Sequence, residues 1–255
     1  MLSTVLTHLK HLNAKSVALA ALRHPILALR ALTGGDSSAI PSRTVKRYVR
    51  QGSVLIEAGG FDGQDTSRLL GLLVPERVIV VEPHPDLAQA LRHRFSGERR
   101  ITVIEAALGS GTEPSAQLFT FGVGQDPHGS SSLLAPELVA NLHPEVGLEG
   151  LLEVPLLTLR SLLENEAATS VGLLWLDVQG AELDVLKSAE DLIQVVEVIH
   201  LEVSMTRNYS NAPLEADVHG WLESKGFRRV ARRVLISNGN ALYVRRRPKG
   251  LAYGR

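Results

Sequence analysis

Three carboxylates stand at the ends of short apolar segments, where a parallel sheet would gather them. Glu57 lies in the segment 54–59, Glu82 closes the segment 77–82, and Asp177 follows Leu176. In open α/β sheets, ligands bind in the crevice outside the carboxyl ends of the strands. Carboxylates at that edge can accept hydrogen bonds from hydroxyl groups or take a proton from one. The pattern predicts an enzyme with its site at this edge.

The glycine turn after Glu57 separates two kinds of cofactor site. The glycines stand at positions 59, 60 and 63, whereas a dinucleotide fingerprint ending at Gly63 needs glycine at position 58, which is Ala58. Glycine allows backbone amides to approach a ligand closely. Glu82, at the expected distance along the chain, is placed to accept hydrogen bonds from two ribose hydroxyls. The spacing favours S-adenosylmethionine over a nicotinamide cofactor, and an NAD-dependent oxidoreductase stays a weaker alternative.

Strands and helices are predicted to alternate through the body of the chain. Runs of Val, Ile and Leu without polar alternation indicate strands that are covered on both faces, which is typical of a parallel sheet. These features predict a doubly wound, Rossmann-like α/β fold. The predicted strands are 54–59, 77–82, 101–108, 118–123, 171–178 and 195–203, and the predicted helices are 64–73, 86–95, 158–164 and 181–189.

The C-terminal part predicts a hairpin. Asn238 and Gly239 lie between the strand-like segments 227–236 and 241–246, and an Asn-Gly pair in that setting is a strong hairpin signal. One strand must therefore run antiparallel. By fold analogy, a mostly parallel sheet with an antiparallel C-terminal hairpin strand is the architecture of class I methyltransferases.

The formal net charge of zero conceals a strong asymmetry. Residues 1–50 contain eight Lys or Arg and one acid, residues 225–255 contain ten Lys or Arg and no acid, and the segment between them is strongly acidic.

The 255 residues, 44% of them apolar, are enough for one main domain. The absence of cysteine excludes disulfides and thiolate metal sites. A cytoplasmic location is the default expectation.

The first 50 residues are predicted as a basic helical region and linker, and residues 51–255 as the methyltransferase-like body. Apolar residues recur at helical spacing in the first 35 positions, but Arg23, His24 and Pro25 interrupt them before a membrane span is reached. A helix that packs on the domain or forms a substrate lid is favoured. Peripheral contact with an anionic membrane and a transit peptide are the alternatives.

Six segments, in order, resemble the motifs of one enzyme family. They are IEAGGFDG (56–63), VEPHPD (81–86), AALG (106–109), SSSL (130–133), VPLLTL (154–159) and LDVQGAEL (176–183). This series is similar to that of the FkbM family of S-adenosylmethionine-dependent methyltransferases. The resemblance implies O-methylation of a hydroxyl, often on a sugar or a natural-product scaffold. The cofactor residues assigned with it are Glu57, Gly59, Gly60, Phe61, Gly63, Glu82 and Pro83, with Glu105 and Ala106 facing the adenine.

The chain departs from the family pattern at three places. Glu57 replaces an Asp, Gly60-Phe61 replaces Ala-Asn, and Gln179 stands where the family has Glu. These departures leave two interpretations of the function open. The first is an active O-methyltransferase, and the second is a catalytically impaired cofactor-binding or scaffold protein that kept the fold.

Methyl transfer to a hydroxyl needs in-line positioning and a group that accepts the hydroxyl proton. Asp177 is the first candidate for base or substrate anchor and Glu202 the second, although acids at strand ends also cap helices. The two together could hold a divalent cation, but metal-free catalysis is favoured. The residues assigned to substrate contact are Gln179, Glu182, His84 and Ser131.

The substrate class is narrowed by exclusion. Aromatic residues are 4% of the chain, so platforms on which bases could stack are scarce. Asp177 is not followed by the Pro-Pro-aromatic sequence that methylation of exocyclic amines usually uses. Nucleic acid is therefore not expected as the substrate, and a small-molecule or glycan hydroxyl is. The Arg-rich tail could dock on the acidic body of a second copy, so a homo-oligomer stays open.

Overall fold

The computed structural model describes residues 39–111, 113–123, 126–127, 129–137, 147–235 and 238–246. The helical region predicted within residues 1–38 lies outside these ranges, as do His128 and much of the loop 124–150. Contacts divide the chain into residues 1–39 and 40–255. Ile40, Val45 and Val49 are buried in the core of the second unit, and the domain boundary at residue 50 stays a prediction. None of the helices in the described residues is long and apolar enough to cross a membrane.

The second unit contains eleven strands and six α-helices among its described residues. The strands are β1 Val54–Ala58, β2 Arg77–Glu82, β3 Ile101–Glu105, β4 Ala107–Leu108, β5 Ser115–Val123, β6 Asp126–Pro127, β7 Gly147–Leu157, β8 Leu173–Leu176, β9 Val198–Ser204, β10 Phe227–Leu235 and β11 Asn238–Arg245. The helices are α1 Ser42–Lys46, α2 Gln64–Leu73, α3 Pro85–Arg94, α4 Leu159–Asn165, α5 Glu182–Ser188 and α6 Glu215–Ser224, and a 3-10 helix covers Glu190–Val195.

Seven strands form the main sheet, in the order β3-β2-β1-β8-β9-β11-β10. The pairings among β3, β2, β1, β8 and β9 are parallel, whereas β11 runs antiparallel to both of its neighbours. The strand order reverses between β1 and β8, so the crevice of this sheet lies at their carboxyl ends. The predicted doubly wound α/β sheet with an antiparallel C-terminal hairpin strand is confirmed. The predicted place of the hairpin turn is wrong, because Asn238 and Gly239 belong to β11, where they pair with Leu235 and Val234.

Apolar side chains cover both faces of this sheet, as the Val, Ile and Leu runs predict. One core cluster joins Ile56, Ala58, Leu174 and Leu176 to apolar side chains of α4, α5 and α6. The cluster on the opposite face joins Leu55, Val78 and Val80 to side chains of α1, α2 and α3. The helices therefore hold the strand ends, and the turns between them, in fixed positions.

A second, four-stranded sheet with the order β4-β7-β5-β6 was not predicted as a unit. The predicted strand 101–108 divides at Ala106, because β3 stays in the main sheet while β4 pairs with β7. The predicted strand 118–123 is the longer β5. Strand β7 and helix α6 were missed. The small sheet carries the segment 129–133, which it holds against the carboxyl edge of the main sheet through the bridge between Phe119 and Ser132.

Candidate functional site

The turn after β1 is fixed by close backbone contacts. Gly59 has φ +89°, and a Cβ atom there would overlap the carbonyl oxygen of Asp177. The Gly59 N–H donates to the carbonyl of Val81 at 2.9 Å, and the Asp177 N–H donates to the carbonyl of Ala58 at 2.9 Å. Gly59 is thus required because the ends of three strands converge on it.

The other two glycines of the turn serve helix packing. A Cβ on Gly60 would lie 2.5 Å from Val80 Cγ1 and 2.9 Å from Leu91 Cδ1. A Cβ on Gly63 would lie 2.8 Å from both Leu91 and Phe95, and Gly63 has φ +73°. These contacts allow α3 to approach the turn, and neither glycine lines the cleft beside it. Their predicted contact with a cofactor stays a prediction.

Glu82 holds the far side of the turn. Its Oε2 accepts from the Phe61 N–H and its Oε1 from the His84 N–H, each at 2.9 Å. The side chain is 4% exposed, and burial raises its pKa although these two hydrogen bonds act in the opposite direction. Phe61, at φ 44°, is held in the left-handed region by this arrangement. The carboxylate is therefore rigidly placed at the cleft.

The cleft opens outside β1, β2 and β3 and has an empty volume of about 710 Å³ including its mouth. Its walls are mostly apolar, with Glu82 and Asp177 as the two carboxylates, which suits a nucleoside-sized ligand. Five of the residues predicted for a cofactor line it, namely Gly59, Phe61, Glu82, Pro83 and Ala106. Of the predicted substrate residues, Ser131 also lies here, and its Oγ accepts from the Phe121 N–H at 3.3 Å.

Besides Gly60 and Gly63, two further predicted cofactor residues lie off the cleft wall. Glu105 pairs with Arg92 at 2.8 Å in a partly exposed ion pair. Glu57 is fully buried behind the turn, where its Oε2 accepts from the Thr66 hydroxyl at 2.7 Å. Its Oε1 has no hydrogen-bond partner among the described residues, and burial raises the pKa of Glu57 to about 8. Glu57 therefore anchors the first turn of α2, and its contact with a cofactor stays a prediction.

A second cavity, with an empty volume of about 560 Å³ including its open mouth, adjoins the first across the loop 177–180. A side-chain network marks the boundary. The Gln179 amide nitrogen donates to Asp177 Oδ1 at 2.6 Å and to Glu202 Oε2 at 3.2 Å. The Tyr209 hydroxyl lies within hydrogen-bond distance of Gln179 Oε1 at 3.0 Å and of the Ser130 carbonyl at 2.8 Å. The structure thus brings the two predicted catalytic carboxylates, Asp177 and Glu202, together on one amide.

The loop that carries Gln179 is held from both sides. Gln179 has φ 53°, and its carbonyl accepts from the Ser132 hydroxyl at 2.7 Å. Glu182 Oε1 accepts from the N–H groups of Val178 and Gly180, at 3.2 Å each. Burial raises the pKa of Glu182 to about 7. Glu182 lies on the cavity wall, but its carboxyl group is engaged with its own loop.

Sequence reasoning missed most of the second cavity. Its polar lining includes Ser204, Asn208, Tyr209 and Asn238, which come from β9, the loop after it, and the start of β11. No motif marks these positions, so no sequence signal could have identified them. His84, predicted as a substrate contact, is the N-cap residue of α3 and lines neither cavity.

No cluster of three or more His, Cys, Asp or Glu placed to hold a metal ion occurs in the part of the chain that the structure describes. Between Asp177 and Glu202 stands the Gln179 amide nitrogen. Either carboxylate can orient a hydroxyl group beside this amide and accept its proton.

Comparison with known proteins identifies one family. The family model described as "Methyltransferase FkbM domain" matches residues 58–229. The 2-O-methyltransferase NoeI of Sinorhizobium fredii is 26% identical over 166 residues, which are 64% of this chain and 68% of that protein. A probable ribosomal RNA small subunit methyltransferase A of Haloarcula marismortui is 36% identical over 95 residues, covering 36% of this chain and 32% of that one.

Solved structures with similar folds have low sequence identity to this chain. The methyltransferase FkbM of Methylobacillus flagellatus is 15% identical with a TM-score of 0.46, and the match covers 95% of this chain and 57% of that one. A SAM-dependent methyltransferase from Aquifex aeolicus is 12% identical with a TM-score of 0.45, covering 81% and 90% of the two chains.

Proposed function

The chain belongs to the FkbM methyltransferase family, as the resemblance of its motifs indicated, and we propose that it is an S-adenosylmethionine-dependent O-methyltransferase acting on a hydroxyl of a sugar, glycan or natural-product small molecule. One observation carries this proposal. A cleft suited to a nucleoside meets a polar cavity at a single amide that bridges two carboxylates.

The residues of the cleft fit the methyl donor. Both oxygens of Glu82 are fixed by backbone N–H groups, so their remaining lone pairs are oriented to accept from two ribose hydroxyls. Phe61, Pro83 and Ala106 supply apolar walls that can enclose the adenosyl group. When bound, S-adenosylmethionine supplies an electrophilic methyl group on a sulfonium centre.

Asp177 is the proposed proton acceptor, with Glu202 as the second carboxylate of the pair. The Gln179 amide nitrogen donates to both side chains and so holds the two carboxylates next to each other. Tyr209 does not compete as a base, since burial raises its pKa far above neutrality. An acceptor hydroxyl held against Asp177 would donate its hydrogen to that carboxylate as the oxygen attacks.

The lining of the second cavity supports a polyhydroxylated acceptor. Ser204, Asn208 and Asn238 form a hydrogen-bonded group, with the Asn208 amide nitrogen 2.9 Å from Asn238 Oδ1 and 3.1 Å from Ser204 Oγ. Such groups recognise hydroxyls. Asp177 and Glu202 would repel a phosphodiester backbone, so a sugar or small molecule is favoured over nucleic acid. A cytoplasmic location and any oligomeric state stay predictions.

Calorimetry with S-adenosylmethionine, followed by a methyl-donor assay over a panel of hydroxylated sugars and metabolites, tests the proposal. We expect cofactor binding and methyl transfer that survives exhaustive chelation of divalent cations. Binding without turnover on a broad panel would favour the impaired scaffold instead. Binding of NADH in place of S-adenosylmethionine would overturn the proposed cofactor.

A further inference from the structure

A basic surface lies away from both cavities. Arg43, Lys46, Arg47 and Arg50 are exposed and recur at positions i, i+3, i+4 and i+7, so they share one side of α1 and the turn that continues it. The opposite side is apolar and buried, as the burial of Val45 and Val49 shows. This short segment therefore exposes four cationic side chains to solvent while its apolar side packs against the core.

Strand β10 extends the same surface from a distant part of the sequence. The ring of Tyr48 contacts two guanidinium groups, because the Cζ atoms of Arg47 and Arg228 each lie 5.9 Å from its centroid. We define the basic face as Arg43, Lys46, Arg47, Tyr48, Arg50 and Arg228. The segments 40–50 and 226–235 contain no Asp or Glu. Arg50 does pair with one acid, Glu197, which directly precedes β9, at 2.5 Å.

The strand register places the basic face at the amino edge of the sheet. Arg228 pairs with Val244, and Val244 with Val198 at the start of β9. Glu202 lies four residues further along β9, about 13 Å towards the carboxyl edge at ~3.3 Å per residue. That edge carries Glu82, Asp177 and Glu202. The cations of the basic face thus lie at the opposite edge of the sheet from Glu82, Asp177 and Glu202.

We propose that the basic face docks the protein on an anionic lipid surface and leaves both cavities facing away from the bilayer. Clustered Lys and Arg are attracted to anionic headgroups, and carboxylates at the far edge favour the same orientation because they are repelled. Tyr48 has the amphipathic ring that suits the headgroup region. By sequence, residues 1–38 add four Lys or Arg and an apolar helical periodicity, which is the pattern of an interfacial segment.

Nucleic acid fits the basic face less well than an anionic lipid surface does. A strand bound along the basic face would run past the amino edge, whereas the proposed chemistry lies at the carboxyl edge. Binding of single strands also relies on open aromatic platforms, and the ring of Tyr48 is flanked by Arg47 and Arg228. The basic face is therefore assigned to lipid headgroups.

Vesicle co-sedimentation of the full chain tests this assignment. We expect binding to vesicles that mix phosphatidylcholine with phosphatidylglycerol, and little binding to phosphatidylcholine alone. Charge reversal by Arg47→Glu with Arg228→Glu should weaken binding at least about tenfold, since each cation near an anionic surface contributes several-fold. The pair Arg43→Glu with Lys46→Glu should weaken binding to a similar extent and leaves the contacts of Tyr48 intact. It tests the proposal even if the first double variant does not fold.

Arg207→Glu with Arg233→Glu is the matched control, because both residues are exposed, lie towards the carboxyl edge of the sheet and give the same change of charge. Equal weakening by the control, unchanged binding in both basic-face variants, or indifference to lipid charge would overturn the proposal. Tighter binding to an RNA oligonucleotide than to the mixed vesicles at the same salt would reassign the face. Methyl transfer to a water-soluble acceptor should be measured on the same variants. It should stay unchanged, because the basic face lies away from both cavities, so a failure of vesicle binding can be distinguished from a failure of the proposed function.

Discussion

The two cavities share the loop 177–180 but are built in different ways. The cleft assigned to the cofactor depends on backbone contacts, since Gly59 lies against the backbone of Asp177 and two N–H groups fix Glu82. The second cavity depends on hydrogen bonds among side chains such as Gln179 and Tyr209. A backbone-built site suits an invariant ligand, whereas a side-chain network can be altered one residue at a time. We infer that acceptor specificity can change within this fold while the cofactor site stays constant.

The largest expected effect comes from Gly59→Ala. The new methyl group would overlap the Asp177 carbonyl at a φ of +89°, so the ends of β1 and β8 must separate. We expect a loss of stability of about 3 kcal/mol or more and no measurable cofactor binding. Urea unfolding and calorimetry measure both effects.

Gly71→Ala is the matched control for this variant. Gly71 lies within α2 with open space around it, so alanine there should raise stability by about 0.5–1 kcal/mol. Retention of cofactor affinity in Gly59→Ala would show that the cleft does not depend on this backbone contact.

The next largest effect should separate the functions of the two cavities. Asp177→Ala is expected to lower turnover at least about 100-fold, because a positioned base contributes that much, with cofactor affinity nearly unchanged. Glu82→Gln should instead weaken cofactor binding about tenfold or more, since it replaces a charged acceptor. Calorimetry and steady-state kinetics on both variants check this. Loss of cofactor binding in Asp177→Ala would move that residue to the cofactor site.

A smaller effect is expected from Gln179→Glu, which changes only the side-chain network. The variant replaces the bridging donor with a third carboxylate beside Asp177 and Glu202, so like charges now meet. We expect about tenfold lower turnover and new binding of Mg²⁺, because three carboxylates suit a hard cation. The exposed Gln89→Glu on α3 is the control. Unchanged turnover together with no gain in Mg²⁺ affinity would contradict the bridging role of the amide. Higher turnover in Gln179→Glu, which restores the residue of the family pattern, would favour the impaired-protein interpretation.

A dependence of stability on pH is expected from the buried acids behind each cavity. Burial raises the pKa of Glu57 to about 8 and that of Glu182 to about 7, above the value of about 4.3 in unfolded chains. The folded state then binds more protons, so the free energy of unfolding should fall as pH rises from about 5 to 8, by at most ~1.4 kcal/mol per unit for each group. Urea unfolding across this range should show a shallower decline in Glu57→Gln and Glu182→Gln. A free energy of unfolding that increases with pH would contradict this prediction.

Local sequence signals predicted the fold well. Helix α2 and strand β2 lie at the predicted bounds, Gln64–Leu73 and Arg77–Glu82, because apolar runs are bounded there by turn residues. Strand β7 was missed since Gly147, Gly150 and Pro155 interrupt its apolar residues. Its place depends on pairing with β5, more than twenty residues earlier in the chain.

In the candidate site too, features set by neighbouring residues could be predicted, whereas contacts between residues far apart in the sequence could not. Glu105 and Ala106 were both expected at the adenine, yet only Ala106 lines the cleft, because successive side chains of a strand point to opposite faces. Gly60 and Gly63 were correctly recognised as part of a tight turn, but their contacts are with α3. Tyr209 could not be predicted, since its contacts with Ser130 and Gln179 join positions 79 and 30 residues away.

The position of β11 has a consequence for synthesis on the ribosome. This strand is inserted between β9 and β10, although it is the last of the three to emerge. While the nascent chain is shorter than about 245 residues, β9 therefore has an unpaired edge, and that is the strand that carries Glu202. The half of the sheet that holds the cleft assigned to the cofactor can form first, whereas the side with the second cavity forms only after the final hairpin. A chain truncated before Asn238 would therefore expose the unpaired edge of β9, which could pair with strands of other chains and cause aggregation.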